Sequence, residues 1–434
     1  MTRLHIRNIG PIKEIDLELK PIMVFIGQQS SGKSTLAKII SFCSWLEKDA
    51  VSRQSVSYVD MDFIKTQLLS FHKLDNYLNE GALIEYESNA IKFSCDFSNV
   101  SLKRAEGFAE AVDGKIAYIP SERHVVNLPG IQSLSFKRNN IRSFIFDWFD
   151  SHTNFTKDNP LELDGLNAKY YYDDAKDQDV IVMQDGKVLP LDETSSGMQS
   201  STPLYVYLKY LTEWIFENPL KISYEKEQRL QLALDIKYAD VALKKKRNRS
   251  VDNPDEIYSN ATFKEIARDL RTVIRGMKSS DSPTDEVRDY LQPFLDIDDS
   301  LSRPHYTKII IEEPEQNLFP ETQSRLVRYI FNQIKSGRDE IVITTHSPYI
   351  LSTLNNLIYA YNIGQEYKEE VDEIIPSSVW VNYDDVAASM LSDGTLVSMM
   401  DDELKQLKAE MIDEVSAELN AEYEKLLDLE VRES

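Results

Sequence analysis

Ile22-Met23-Val24-Phe25-Ile26 is a short, unbroken apolar run, and Gly27-Gln28-Gln29-Ser30-Ser31-Gly32-Lys33-Ser34 follows it at once. An apolar run of that kind reads as a strand buried on both faces. From Ser34 to Leu46, the residues Leu36, Ile39, Ile40, Cys43 and Leu46 recur at helical spacing. The order is therefore buried strand, glycine-rich loop, helix, and it predicts an α/β fold. The loop matches the pattern GxxxxGK followed by Ser or Thr in full. Gly27 and Gly32 let the backbone curl around phosphates. Loop N–H groups and the helix N-terminus then face negative charge. Lys33 is placed to neutralise β- and γ-phosphates, and the Ser34 hydroxyl to ligate Mg2+. The candidate ATP ligands are Gly27, Gln28, Ser30, Ser31, Gly32, Lys33, Ser34 and Thr35.

Three further segments carry chemistry. In Lys308-Ile309-Ile310-Ile311-Glu312-Glu313-Pro314, three buried residues deliver two carboxylates to a strand's C-terminal end, where open α/β sheets bind ligands. Adjacent acids there point in different directions. Glu312 is read as the Mg2+ carboxylate, and Glu313 as the group that takes the proton of an attacking water or orients it. Ile341-Val342-Ile343-Thr344-Thr345-His346 is another strand ending in a polar group, so His346 is the candidate γ-phosphate contact. Thr194-Ser195-Ser196-Gly197-Met198-Gln199 opens an apolar helix with residues suited to an N-cap or an anion cradle.

The four motifs in this order resemble the ABC-type ATPase head of RecF-like, SMC-like and overcoming-lysogenization-defect (OLD)-like ATPases. Ser195-Ser196-Gly197-Met198-Gln199 aligns with that family's signature, and Glu312-Glu313-Pro314-Glu315-Gln316-Asn317-Leu318-Phe319-Pro320 looks like the EPExxLHP form of the OLD-like group. The chain departs from the pattern in having Glu312 for the usual aspartate and Phe319 for the common histidine. The resemblance implies a P-loop NTPase fold of ABC type: a mixed sheet flanked by helices, with a helical insertion before the Walker B strand. It also implies a head-to-tail dimer, in which Ser196 and Gly197 of one subunit close over ATP held by Lys33 of the other. Tyr118-Ile119-Pro120-Ser121-Glu122-Arg123 resembles the IPAER segment of the same group, with Glu122 or Arg123 either reaching the phosphate side or paired with neighbours. Arg7 and Asn8 lie where related heads flank the adenine.

The expected domain plan is an N-terminal head part over 1–218, a helical insertion over 219–303, the Walker B and histidine part over 304–370, and a C-terminal strand with an acidic helical tail over 371–434. Leu404, Leu407, Met411, Val415, Leu419, Tyr423 and Leu426 place one amphipathic helix in that tail. Relatives often carry a TOPRIM nuclease after the head. Fewer than 90 residues follow His346, and Asp384-Asp385 is not part of a DxD after a buried strand, so a standalone ATPase without that domain is expected.

Bulk properties narrow the setting. No apolar run approaches the roughly 20 residues that span a bilayer, and the start lacks a signal peptide's apolar core. A cytoplasmic protein with no membrane partner is expected. Cys43 and Cys95 have no CxxC partner and read as apolar fillers. A net charge of −23 repels a nucleic-acid backbone overall, although Lys244-Lys245-Lys246-Arg247-Asn248-Arg249 is a local basic run. Two functions are therefore carried forward. One is an ATPase that gates a separately encoded effector, a nuclease or toxin, in antiphage defence. The other is a RecF-like DNA-repair or DNA-binding ATPase.

Overall fold

The computed structural model describes every residue except 1, 129, 132–136, 219–223, 248–271, 273–284 and 409–434. The fold is mixed α/β. Its strands are β1 (Thr2–Ile9), β2 (Ile12–Leu19), β3 (Ile22–Ile26), β4 (Leu78–Glu87), β5 (Ile91–Cys95), β6 (Val100–Arg104), β7 (Lys115–Ile119), β8 (Leu161–Leu163), β9 (Ala168–Asp173), β10 (Gln178–Met183), β11 (Val188–Pro190), β12 (Thr307–Glu312), β13 (Asp339–Thr345), β14 (Val386–Ser392) and β15 (Thr395–Ser398).

The central sheet has the order β15-β14-β3-β13-β12-β7. All its neighbours run parallel except the edge strand β15, which is antiparallel to β14. Strand periodicity divides the buried residues between two cores. Ile22, Val24, Ile26, Ile309, Ile311, Ile341 and Ile343 face one, whereas Met23, Phe25, Ile310 and Val342 face the other. Both faces are covered, which is why these strands read as continuous apolar runs. Helix Lys33–Arg53 packs on the second face beneath an antiparallel sheet, β2-β1-β4-β5-β6. Helices Ser196–Lys209, Pro320–Gln333 and Pro348–Ile363 build the first face. A third sheet, β11-β10-β9-β8, and helix Asn140–Ser151 join that core through Ile181, Tyr170 and Trp148.

The tight β1–β2 connection is made at Gly10, whose φ of +55° lies in the left-handed region. Cys43 and Cys95 are buried and free, and burial raises both thiols, that of Cys95 to about 11.

Two expectations change at the C-terminus. Strand β14 lies directly between β15 and β3, so the central sheet runs across the boundary expected at residue 370. Residues 401–408 do not begin a helix. Met400–Asp401 pairs antiparallel with Gln406–Leu407, because the Asp401 carboxylate accepts from the Glu403 and Leu404 N–H groups and closes a turn. Leu407 is buried, and its N–H donates to Asn355 Oδ1 at 2.7 Å. The rest of the expected acidic helix lies outside the described residues.

Within 219–303, helices Tyr224–Arg247 and Asp285–Ser302 are described. Their Ala233, Leu234, Tyr238, Phe294 and Leu301 join the core that holds helix Lys33–Arg53. The basic run Lys244 to Arg249 starts on the first of these helices, and its side chains lie outside the described residues. No helix among the described residues is long and apolar enough to cross a membrane.

His72 is buried behind β7, its ring 5.9 Å from that of Tyr118. Burial pushes its pKa down to about 3, with Lys38 adding to the effect. The depressed value means that the neutral imidazole stabilises the fold above the ordinary histidine pKa. That contribution is lost as pH falls toward 3, because the unfolded chain takes up the proton first. In urea unfolding followed from pH 7 to pH 4, His72→Gln is expected to show a shallower loss of stability than the wild type. Parallel curves would refute the assignment.

Candidate functional site

The loop Gly27–Gly32 leaves β3 at the C-terminal end of the parallel strands, and β12 and β13 end beside it. This shared edge results from the parallel register, in which Thr344 pairs with both Phe25 and Glu312, and Thr345 pairs with Ile26. Gly27 has a φ of +158°, and a Cβ added there would sit 2.5 Å from the Leu391 carbonyl oxygen. The glycine is thus required by close approach of β14, a strand from the far end of the sequence. Gly32, at φ +111°, precedes helix Lys33–Arg53. Ser30 is in the left-handed region at +61°.

Lys33 is buried at 5% exposure. Its ammonium donates to the carbonyl oxygens of Gly27 (2.7 Å) and Gln28 (2.8 Å). Burial lowers its pKa, and Glu313, Glu315 and Glu312 oppose the shift. Lys33 also lies 3.4 Å from His346 Nδ1, and His346 Nε2 is 3.0 Å from Glu313 Oε1. An ammonium can only donate, so Nδ1 is the acceptor and the ring proton sits on Nε2, where it reaches the Glu313 carboxylate. The expected Lys33, Glu313 and His346 thus form one chain of hydrogen bonds.

Glu313 has a φ of +46°, uncommon for a residue with a side chain. Its N–H donates to the Thr344 carbonyl at 2.8 Å. This kink separates the two acids: Glu313 meets His346, while Glu312 stays within the fold at 4% exposure. Glu312 Oε1 is buried with no hydrogen-bond partner. The Ser34 and Tyr118 hydroxyls lie nearby, and burial raises the Glu312 pKa. A buried, unpartnered carboxylate oxygen close to a serine hydroxyl is an oxygen donor set suited to Mg2+, which takes one or two protein ligands beside phosphate oxygens. Among the described residues no group of three or more His, Cys, Asp and Glu side chains could hold a metal ion. Thr35 is buried, Gln28, Ser30 and Ser34 are exposed, and Ser31 Oγ is buried with no partner.

Ser196 and Gly197 stand elsewhere. Ser195 caps helix Ser196–Lys209, its hydroxyl accepting from the Met198 N–H, and Ser196 is exposed in the first turn. Gly197 is packed against the loop after Glu313, where a Cβ would lie 2.8 Å from the Asn317 carbonyl. No hydrogen bond among the described residues joins either one to Gly27–Thr35.

Arg123 is the residue that motif reading placed but did not explain. It is fully buried. Its guanidinium donates to the carbonyls of Ser200 (2.8 Å), Glu312 (2.9 Å) and Glu313 (2.9 Å), and more distantly to those of Pro120 and Pro314 (3.3 Å each). It neither reaches the phosphate loop nor pairs with Glu122. It ties β7's exit, the two acids and helix Ser196–Lys209 together. Burial lowers its pKa to about 10. Glu315 was also passed over; its Oε1 accepts from Thr345 Oγ1 and the His346 N–H, each at 2.7 Å, and so fixes the histidine. Its place within the Glu312–Pro320 run was the available signal. Arg7 and Asn8 donate to the carbonyls of Gly81 and Glu80 on β4.

Residues 298–351 match the AAA ATPase domain family. No curated protein matches the chain. Among solved structures, an SMC head domain from Thermotoga maritima is 10% identical, with 91% of this chain and 97% of that chain covered and a TM-score of 0.35. The recombination mediator protein RecF is 11% identical, covering 92% and 97%, at 0.28. An Smc head from Pyrococcus furiosus, solved with the C-terminal domain of ScpA, is 8% identical, covering 97% and 100%, at 0.35.

Two outcomes are expected from this geometry. Arg123→Lys removes the planar fork that serves several carbonyls at once. It should cost about 2–4 kcal/mol in urea unfolding, and a loss below about 0.5 kcal/mol would show the contacts to be incidental. Glu312→Gln removes a buried acid whose burial outweighs the help it receives from Ser34, Lys38 and Tyr118. In EDTA at pH 7 it should raise the melting temperature of the nucleotide-free chain while weakening Mg2+-dependent ATP binding. A lower melting temperature would contradict this reading.

Proposed function

We propose that this chain binds ATP with Mg2+ and hydrolyses it to ADP and phosphate in a site shared between two copies arranged head to tail. The observation that carries the reading is the Lys33–His346–Glu313 chain at the mouth of the glycine loop, beside the buried Glu312 carboxylate with its unpartnered Oε1.

In this reading Lys33 exchanges its contacts with the Gly27 and Gln28 carbonyls for β- and γ-phosphate oxygens. Backbone N–H groups from Gly27 to Thr35 cradle the same phosphates. Ser34 and Glu312 hold Mg2+, which when bound supplies positive charge to the phosphate oxygens. Glu313 takes the proton of the attacking water or orients it, and its carboxylate is positioned by the Nε2–H of His346. Glu315 keeps the histidine in place. Water is then placed for attack by residues fixed before nucleotide arrives.

Ser196 and Gly197 enter from the second copy. Support comes from the exposure of Ser196 at a helix N-terminus, where first-turn N–H groups favour anions. In the same reading the ATP-closed dimer gates a separately encoded effector, a nuclease or toxin, in bacterial antiphage defence. The likeness of the Glu312–Pro320 run to the OLD-like form supports it.

Lys33→Ala should abolish ATP binding. Glu313→Gln should retain ATP, accumulate a dimer in light-scattering chromatography, and lower hydrolysis about 10²–10⁴-fold. Ser196→Arg should prevent both the dimer and turnover; normal hydrolysis in this variant would sink the shared site. Purified from its native operon with ATP, the Glu313→Gln chain should bring a neighbour-encoded effector, and a chain that elutes alone counts against gating.

A further inference from the structure

A cavity of about 350 Å³ lies between helix Lys33–Arg53, the edge strand β7 and the start of helix Asn140–Ser151. It takes no part in the chemistry above. Its volume is at the small end of ordinary ligand pockets. Trp45, Phe71 and Phe146 give it aromatic walls. Its other side carries Arg138 and Arg142, with the Asp147 carboxylate held by Lys115 at 2.7 Å. Arg138 donates to the Gln67 amide oxygen at 3.1 Å, and the Arg142 guanidinium lies 5.0 Å from the Phe146 ring centre. Among the described residues neither guanidinium has a carboxylate partner, in a chain whose net charge is −23. Asn139 caps the adjacent helix, whose N-terminus adds partial positive charge.

The lining is also short of hydrogen bonds. His72 Nδ1 and Asn140 Oδ1 are buried without partners, and both residues line the cavity. Buried polar atoms are rarely left so. Two in one lining, beside aromatic rings and two arginines that have no carboxylate partner among the described residues, are the pattern of a binding site: rings for a planar group, guanidiniums for an anion.

We propose that this cavity binds a nucleoside monophosphate, with the base between the aromatic walls and the phosphate on Arg138 and Arg142. Tyr118 is shared between the cavity and Glu312, since its hydroxyl faces the Glu312 carboxyl. An occupant therefore touches the ring that backs the proposed metal carboxylate.

The test is calorimetric titration of the full chain carrying Lys33→Ala, which silences the proposed ATP site and separates this inference from that reading. The probes are uridine, cytidine, guanosine and adenosine monophosphates in turn, with inorganic phosphate and uridine as controls. At least one monophosphate should bind saturably, and both controls at least about tenfold more weakly. The wild-type chain should give the same affinity for a pyrimidine monophosphate. The Arg138→Ala, Arg142→Ala double variant should lose at least about tenfold in affinity, the worth of one charged hydrogen bond, with an unchanged melting temperature. If none of the four binds at millimolar concentration, or if the double variant binds as before, the proposal is overturned.

Discussion

The Arg123 guanidinium is the contact on which the site's geometry depends. A fully buried charge is costly unless its hydrogen bonds are met, and here they are met by backbone carbonyls from two separate segments, at Ser200 and at Glu312–Glu313. Backbone carbonyls cannot rotate away as side chains can. The turn after β12 and the first turns of helix Ser196–Lys209 are therefore located relative to each other. Gly197 completes the arrangement by allowing the Asn317 carbonyl to approach. Ser200 Oγ donates to the Gln316 carbonyl at 2.8 Å and adds a second tie across the same seam.

From that fixed turn the two acids acquire different roles. The left-handed conformation at Glu313 is strained, and the surrounding hydrogen bonds hold it. Its effect is to leave one carboxylate buried, with one oxygen unpartnered, while the other meets an imidazole. Glu315, two residues on, reaches across to β13 and holds the histidine backbone. The loop between Glu312 and Pro320 thus carries a buried acid, a half-exposed acid and a positioning acid, all placed by the end of a single strand.

Much of this was legible in the sequence. The continuous apolar runs at Ile22–Ile26, Ile309–Ile311 and Ile341–Ile343 identified the buried parallel strands, because a strand covered on both faces has no polar side to show. Gly27, Lys33, Glu313 and His346 were identified from motif order, and three of these side chains are joined by hydrogen bonds in the structure. What failed was local. Residues 401–408 alternate at helical spacing, yet the Asp401 turn and the burial of Leu407 override that periodicity. A strand is expected within 371–434, but nothing in Val386–Ser392 tells that it lies beside β3 in the sheet centre. A short strand far along the chain cannot declare its neighbour.

The sequence by itself determined the phosphate loop, the paired acids and the strand-ending histidine, because each depends on residue type at fixed spacing along one short segment. Tertiary structure alone decided the rest. The close approach of Leu391 accounts for the glycine at position 27. Convergence of three distant segments makes Arg123 a carbonyl clamp rather than an ion-pair partner or a phosphate ligand. Packing against Asn317 sets Gly197 apart from the phosphate loop of its own chain. These are contacts between residues tens to hundreds of positions apart, and no local pattern encodes which carbonyl a buried guanidinium will meet.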